Sequence, residues 1–255
     1  MRLSIFIPTF NRPAFFNDLI ASLEPQHHGV EVVVSLNGSG SSYRFPPWVR
    51  VIRQATNIGG RVQWMLGPLV CTGEYVWMMG DDDRVAPGGV ASVVEALEGD
   101  PGIVLNHDGC YDLGVQLGSR FGSYRDVIRA QVAVGRAQAV TAGTLCAAMV
   151  FRREGFSLEQ AVLKCDTMYG QHYAILDRLM GEPVHVVPRP SFRAGSSEHA
   201  SIYGHSHEAI VEHMSAYPQN VHGIIHWLNE RLDLSLDPVK CWVSGDGFDA
   251  PGRPR

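Results

Sequence analysis

Three consecutive carboxylates, Asp81-Asp82-Asp83, follow the apolar run Tyr75-Val76-Trp77-Met78-Met79 and the turn former Gly80. An apolar run that stops in acids reads as a buried strand ending where a sheet's carboxyl edge opens to ligand. Neighbouring carboxylates repel one another and resist desolvation, so their clustering at such an edge points to a divalent cation. Mn²⁺ and Mg²⁺ take oxygen ligands, and typically use one or two carboxylates together with a ligand's phosphates. Asp81 and Asp83 preserve a D-x-D spacing, and alternate residues of an extended chain share a side. Asp81 and Asp83 could therefore face one cation together, and both are candidate metal ligands. A solvated acidic turn is the bland alternative, and the strand before it weighs against that.

Such a cluster needs a sheet beneath it, and the first half of the chain alternates strand and helix signals. Leu3–Ile7 is a nearly continuous apolar run, as in strands covered on both faces. Phe16, Leu19, Ile20 and Leu23 recur at helical spacing. Val30–Leu36 is a second strand, closed by Asn37-Gly38-Ser39-Gly40, and Val49–Arg53 a third. Val62, Met65, Leu66, Leu69 and Val70 share a helical face that Gly73 ends. Pro87 fits the first turn of a helix with Val90, Val93, Val94 and Leu97 inward. The alternation predicts an α/β fold with a mainly parallel, right-handed, doubly wound sheet.

Beyond residue 105 the pattern loosens. Ile103–Asn106 and Cys146–Phe151 read as strands around a Gly-rich stretch whose Arg120, Arg125, Arg129 and Arg136 suit an exposed helix face. Ser157 and Gln160 form a capping box for a helix over Leu158–Lys164. Asp166 or Thr167 is placed to cap the next helix, with Tyr173, Leu176, Leu179 and Met180 inward, and Val184–Val187 is a short strand. A polar, His-rich loop, helices over 207–216 and 221–232, and a disordered tail complete the reading. The expected organisation is one domain over 1–195, divided into halves 1–105 and 106–195, then a loop and helices over 196–243 and a tail over 244–255.

Composition narrows the function classes. Hydrophobic residues are 45% and charged residues 18%, enough for a full core. A net charge of −5 gives no general attraction to nucleic acid or anionic lipid. No apolar stretch approaches the roughly 18 residues of a membrane span, and the run before Pro8 is short for a signal peptide. Five cysteines without CxxC spacing fit reduced thiols better than a disulfide framework or zinc ribbon. A soluble cytoplasmic protein is expected.

Ser4-Ile5-Phe6-Ile7-Pro8-Thr9-Phe10-Asn11-Arg12 resembles the opening strand of family 2 glycosyltransferases with the GT-A fold. Asn37-Gly38-Ser39, Asn57-Ile58-Gly59-Gly60, Gly73-Glu74-Tyr75, Gly80-Asp81-Asp82-Asp83 and Pro87-Gly88 follow in that family's order. The resemblance covers residues 3–90 and fades after about residue 105. It implies a nucleotide-diphosphate sugar donor, a divalent metal (Mn²⁺ or Mg²⁺) and transfer to an acceptor hydroxyl. Residues 1–105 become the nucleotide-sugar-binding half and 106–195 the acceptor-side half. Pro8, Thr9, Arg12, Asn37, Asn57, Gly59 and Arg61 are the implied donor contacts, with Asp81 or Asp82 on the ribose. Two departures stand out: Leu36 where the family often carries aspartate, and Gly80 in place of its frequent first acid. A C-terminal residue often completes the metal site in such folds, and His199, His205 and His207 are the candidates here.

Direct displacement of the diphosphate inverts the anomeric centre and needs a base for the acceptor hydroxyl. The resemblance implies an acid at the start of a helix after the acceptor-side strand, which Asp166 fits. Its alternative role is the helix cap. Asp108 and Asp112 remain open, and Asp177, inside the helix, is a poorer choice. The acceptor is a glycan or a small molecule, with modified DNA the least favoured. The rivals are a nucleotidyltransferase, which lacks its Gly-rich phosphate loop here, and a noncatalytic nucleotide-sugar-binding module.

Overall fold

The computed structural model describes residues 1–38, 42–109, 113–136, 140, 146–167, 169–195, 220 and 222–238. Strands β1 (Leu3–Thr9), β2 (Glu31–Leu36), β3 (Val49–Arg53) and β4 (Tyr75–Met78) pair in parallel, with β1 between β2 and β4 and β3 outside β2. Beyond β4 the sheet becomes mixed. β8 (Met149–Arg152) pairs antiparallel with β4 and with β6 (Ile103–Leu105). β9 (Val184–Val186) then runs parallel to β6, and β7 (Arg120–Phe121) closes the edge antiparallel. A separate ribbon joins β5 (Arg84–Val85) to β10 (Phe192–Arg193).

Period-two alternation divides the core. Ile5 and Ile7 of β1 face one side with Tyr75 and Trp77 of β4. There they meet Phe16, Leu19, Ile20 and Leu23 of α1 (Pro13–Leu23) and Val90, Val93 and Leu97 in and after α4 (Gly89–Ala96). Phe6, Val33, Val76 and Met78 face the other side. That side is covered by α5 (Tyr124–Ala133), α7 (Gly170–Leu179) and a C-terminal helix, α8, over 222–232. Both faces are covered, which is why β1 is buried along its whole length.

Several expectations are corrected. The helix expected across 62–70 is split into α2 (Gly60–Met65) and α3 (Gly67–Val70), because Pro68 has no N–H to continue the ladder. Val62 and Leu69 consequently lie exposed instead of inward. Pro87 precedes α4, which starts after Gly88 at φ +72°, and Val94 is exposed. Cys146–Ala148 form a 3₁₀ turn before β8. Of the expected arginine face, Arg120 lies in β7, Arg125 and Arg129 in α5, and Arg136 beyond it. Ser157 does cap α6 (Leu158–Leu163), accepting from the Gln160 N–H at 3.4 Å. The expected helix over 207–216 and the tail over 244–255 lie outside the described residues. Among the described residues no helix is long and apolar enough to cross a membrane.

The β5–β10 ribbon depends on a close backbone approach at Gly89, where a Cβ would overlap the Ser191 carbonyl and lie 3.0 Å from Val85 Cγ1. Gly89→Ala is expected to cost about 1–3 kcal/mol by overpacking, seen as a lower urea midpoint at unchanged m-value. A wild-type midpoint would show that the ribbon yields freely.

Candidate active site

Parallel pairing brings the carboxyl ends of β1, β2, β3 and β4 to one edge. Two successive antiparallel pairings, Trp77 with Val150 and Val150 with Val104, turn β6 the same way. Asn106–Asp108 therefore lie at the level of the acid run, two strands away, a lateral offset of about 10 Å.

At the end of β1 the chain turns through Asn11, whose φ of +52° an Asn tolerates. The turn aims Thr9 and Arg12 at the acids. Thr9 Oγ1 donates to Asp81 Oδ2 at 2.6 Å. Arg12 grips both oxygens of Asp81, through Nε at 3.3 Å and through Nη2. Its Nη1 reaches Asp82 Oδ2 at 3.2 Å. Tyr43, which the sequence pattern did not single out, braces this corner. Its hydroxyl lies 3.1 Å from Thr9 Oγ1 and accepts from the Arg12 N–H at 2.9 Å. Gln63 is a second addition: buried, it donates to the Thr9 carbonyl at 3.3 Å and to the Ser35 carbonyl, tying β1 to β2. Pro8 lies within β1 opposite Ser35.

Asn37 and Asn57 lock each other. Asn37 Nδ2 donates to Asn57 Oδ1 at 2.7 Å, and Asn37 Oδ1 accepts from the Ile58 N–H at 2.9 Å. Asn57 Oδ1 also accepts from the Gly59 N–H, where φ is +78°. Both side-chain amides thus shape the turn that leads into α2.

The three aspartates have three different environments. Asp81 is fully buried and its carboxyl is pushed up to about 6, chiefly by desolvation, with Arg12 and Thr9 opposing. Asp83 is buried too, and desolvation, then the Asp82 charge, pushes it up to about 7. Its Oδ2 accepts from the Gly80 N–H at 2.9 Å and its Oδ1 from the Gly195 N–H at 3.1 Å. Asp82 keeps 19% of its side chain exposed. The expectation that Asp81 and Asp83 share a side is therefore not met: one turns to β1 and α1, the other to backbone donors. Arg84 clamps the loop from beneath, donating to the Asp82 and Asp83 carbonyls at 3.0 and 2.7 Å.

Among the described residues no three His, Cys, Asp or Glu side chains converge as a metal cage. His199, His205 and His207 lie outside the described residues. The residues present nevertheless fit a hard cation completed by phosphate oxygens. Asp83 is a desolvated carboxylate with no ion-paired side chain among the described residues, and partly exposed Asp82 adjoins it.

Across the edge, Arg61 Nη1 donates to the Asp166 carbonyl, joining the start of α2 to the α6–α7 turn. The capping role expected for Asp166 or Thr167 is absent. The N-cap of α7 is Tyr169, without a side-chain cap, and Thr167 Oγ1 donates to the Lys164 carbonyl. The Asp166 residue is exposed. Asp177 pairs with Arg231 at 3.1 Å, and Asp108 is buried after β6. Asp112 lies outside the described residues.

The raised Asp83 carboxyl fixes the sign of a pH dependence. Between about pH 4 and about pH 7 the folded chain holds a proton that the unfolded chain has released, so metal-free stability falls as pH rises through that window. Asp81 adds to the fall up to about pH 6. Thermal midpoints in EDTA should therefore drop less steeply with pH in Asp83→Ala than in wild type. Equal slopes would mean that Asp83 ionises at its ordinary value.

Comparison with known proteins agrees with this architecture. Abequosyltransferase RfbV of Salmonella typhimurium is 27% identical over 119 residues, 41% of this chain and 35% of the relative. An uncharacterized glycosyltransferase of Haemophilus influenzae is 32% identical over 108 residues, 40% of this chain and 36% of its own length. The matches thus span only about a third of each relative. Among solved structures, residues 1–349 of S. aureus TarS superpose with a TM-score of 0.55 at 18% identity, over 78% of this chain and 61% of that one. Its complex with UDP-GlcNAc gives a TM-score of 0.53 at 17% identity, over 87% of this chain and 66% of that one. The GT-A fold expected from the sequence is the one observed. The model for "Glycosyl transferase family 2" matches residues 4–154, more than half of the 255, and the chain belongs to that family.

Proposed function

We propose that this protein is a metal-dependent, inverting glycosyltransferase that moves a sugar from a nucleotide-diphosphate donor to an acceptor hydroxyl. One observation supports the reading above all: a buried carboxylate, Asp83, without an ion-pair partner among the described residues, at the sheet edge of a family 2 fold. A TarS structure of similar fold was captured with UDP-GlcNAc. Asp82 and Asp83 are the residues that would hold Mn²⁺ or Mg²⁺, which when bound would offset the charge developing on the diphosphate leaving group. Thr9, Asn37 and the Asn57–Gly59 turn form the edge offered to the nucleoside, with Pro8 beneath it in β1. Arg61 is the proposed phosphate contact.

Asp166 is the proposed base. Its carboxylate caps no helix, is exposed, and sits on a turn tethered to Arg61. It would accept the acceptor hydroxyl's proton as that oxygen attacks the anomeric carbon and the carbon–phosphate oxygen bond breaks. Asp108, at the end of β6, is the second candidate. The proposed acceptor is a glycan or small molecule and the proposed location the cytoplasm, a reading supported by the free thiols of Cys71 and Cys165. Burial pushes the Cys71 thiol up to about 12, which leaves it unreactive.

Two variants test the assignment. Calorimetry with UDP, GDP and their sugars should show nucleotide binding strengthened by Mn²⁺ in wild type, and largely lost in a folded Asp83→Ala. Affinity unchanged by EDTA would remove the metal. Asp166→Asn should bind donor normally and lose turnover by roughly 10² or more. Near-wild-type turnover would move the base to Asp108. A product that keeps the donor's anomeric configuration would reject single displacement, and an inert wild type that still binds donor would favour the binding module.

A further inference from the structure

We infer that Arg12 is an internal counter-cation of the acid loop, and that its grip on Asp82 is exchanged for the donor's diphosphate when a divalent cation binds. The inference rests on the metal-dependent reading of the same site and adds a coupling between its two ligands.

The guanidinium is divided unequally. Nε and Nη2 face the two oxygens of Asp81, which is fully buried and also takes the Thr9 hydroxyl. Nη1 alone reaches Asp82, at 3.2 Å, where 19% of the acid's side chain is exposed. The Asp81 contact is thus an anchor of matched forks. Among the described residues Arg12 meets Asp82 through Nη1 at 3.2 Å, nearer to solvent than its paired contacts with Asp81, and this is the contact that can open. The Arg12 backbone is fixed independently, as the N-cap of α1 with its N–H bound to Tyr43. Opening Nη1 therefore requires side-chain movement alone.

Asp82 is also one of the two carboxylates assigned to the cation. A guanidinium on Asp82 Oδ2 repels a divalent ion on the same carboxylate, so Arg12 lowers the affinity of the bare cation. On its other flank Asp82 meets Gly195, where a Cβ would come within 3.0 Å of the Asp82 Cβ and Cγ. Asp82 is thus confined between Arg12 and the end of the β10 segment. Once freed, Nη1 lies at the N-terminus of an 11-residue helix, where the backbone field also favours an anion. A diphosphate supplies paired oxygens of the geometry a guanidinium matches. Cation and nucleotide should then each strengthen the other's binding by the same factor.

The test is Mn²⁺ binding to the full chain, by calorimetry or by loss of the free-ion paramagnetic signal, alone and with UDP or GDP. Arg12→Lys keeps a positive charge for Asp81 but has no fork with which to reach Asp82 as well. Bare Mn²⁺ should bind this variant about tenfold more tightly than wild type, while strengthening by nucleotide falls about tenfold and keeps only the part that direct phosphate ligation of the cation supplies. Arg12→Gln should shift both quantities the same way. If it fails to fold, because Asp81 loses its partner, the lysine variant decides alone. Equal or weaker bare Mn²⁺ binding in Arg12→Lys, or undiminished nucleotide coupling, overturns the exchange and leaves the metal reading intact. Absence of Mn²⁺ binding to wild type under every condition overturns both.

Discussion

Taking adjacent carboxylates out of water at the mouth of a sheet is costly unless each gains its own partners. The first half of the chain is arranged around meeting that cost. Asp81 is matched by Arg12 and Thr9, which requires the left-handed turn at Asn11 and the Tyr43 brace. Asp83 receives backbone N–H groups from Gly80 and from Gly195, and the second arrives only because β10 pairs with β5 more than a hundred residues away in sequence. Arg84 satisfies the loop carbonyls while its other nitrogen pairs with Asp18 of α1. Loosening any of these supports exposes or misaims the acids.

The supports explain what the sequence could disclose. Strand β3 and the buried face of α1 were legible to the residue, because apolar periodicity records burial directly. The acid run was legible for the same reason, since three carboxylates closely following five buried residues have few bland explanations. The individual fates of those carboxylates were not. Alternation placed Asp81 and Asp83 together, but the segment is a turn, with the Asp83 N–H bonded to the Gly80 carbonyl at 3.1 Å. Side chains on a turn do not obey period two. Tyr43 and Gln63 carried no local signal either, because their partners lie on other strands.

The acceptor-side half was harder to read for a related reason. Its antiparallel strands β7 and β8 join the sheet out of sequence order, and β7 has only two residues. Periodicity over two residues holds no information. Asp166 illustrates the limit: its position before a helical pattern suggested a cap, yet α7 starts at Gly170 after an uncapped Tyr169. Lys164–Thr167 instead form a turn tied to α2 through Arg61, with the Lys164 carbonyl 2.6 Å from where a Cβ on Gly170 would lie. Gly170 is therefore required by close approach, and that demand displaced the helix start.

The same physics separates what holds the site from what is free to act in it. A carboxylate with every oxygen engaged by protein donors, such as Asp81, is fixed in place and has little capacity left for a ligand. Asp83 has backbone donors but no opposing side-chain charge among the described residues, so its ionised form is under-compensated at neutral pH. Asp82 is between these cases, partly exposed and paired with an arginine that is anchored on Asp81. Departures from full local satisfaction are where proteins place function. Here they fall at the open end of β4, where Asp83 lacks an opposing side-chain charge among the described residues, Asp82 stays partly exposed, and Asp81 is held fast.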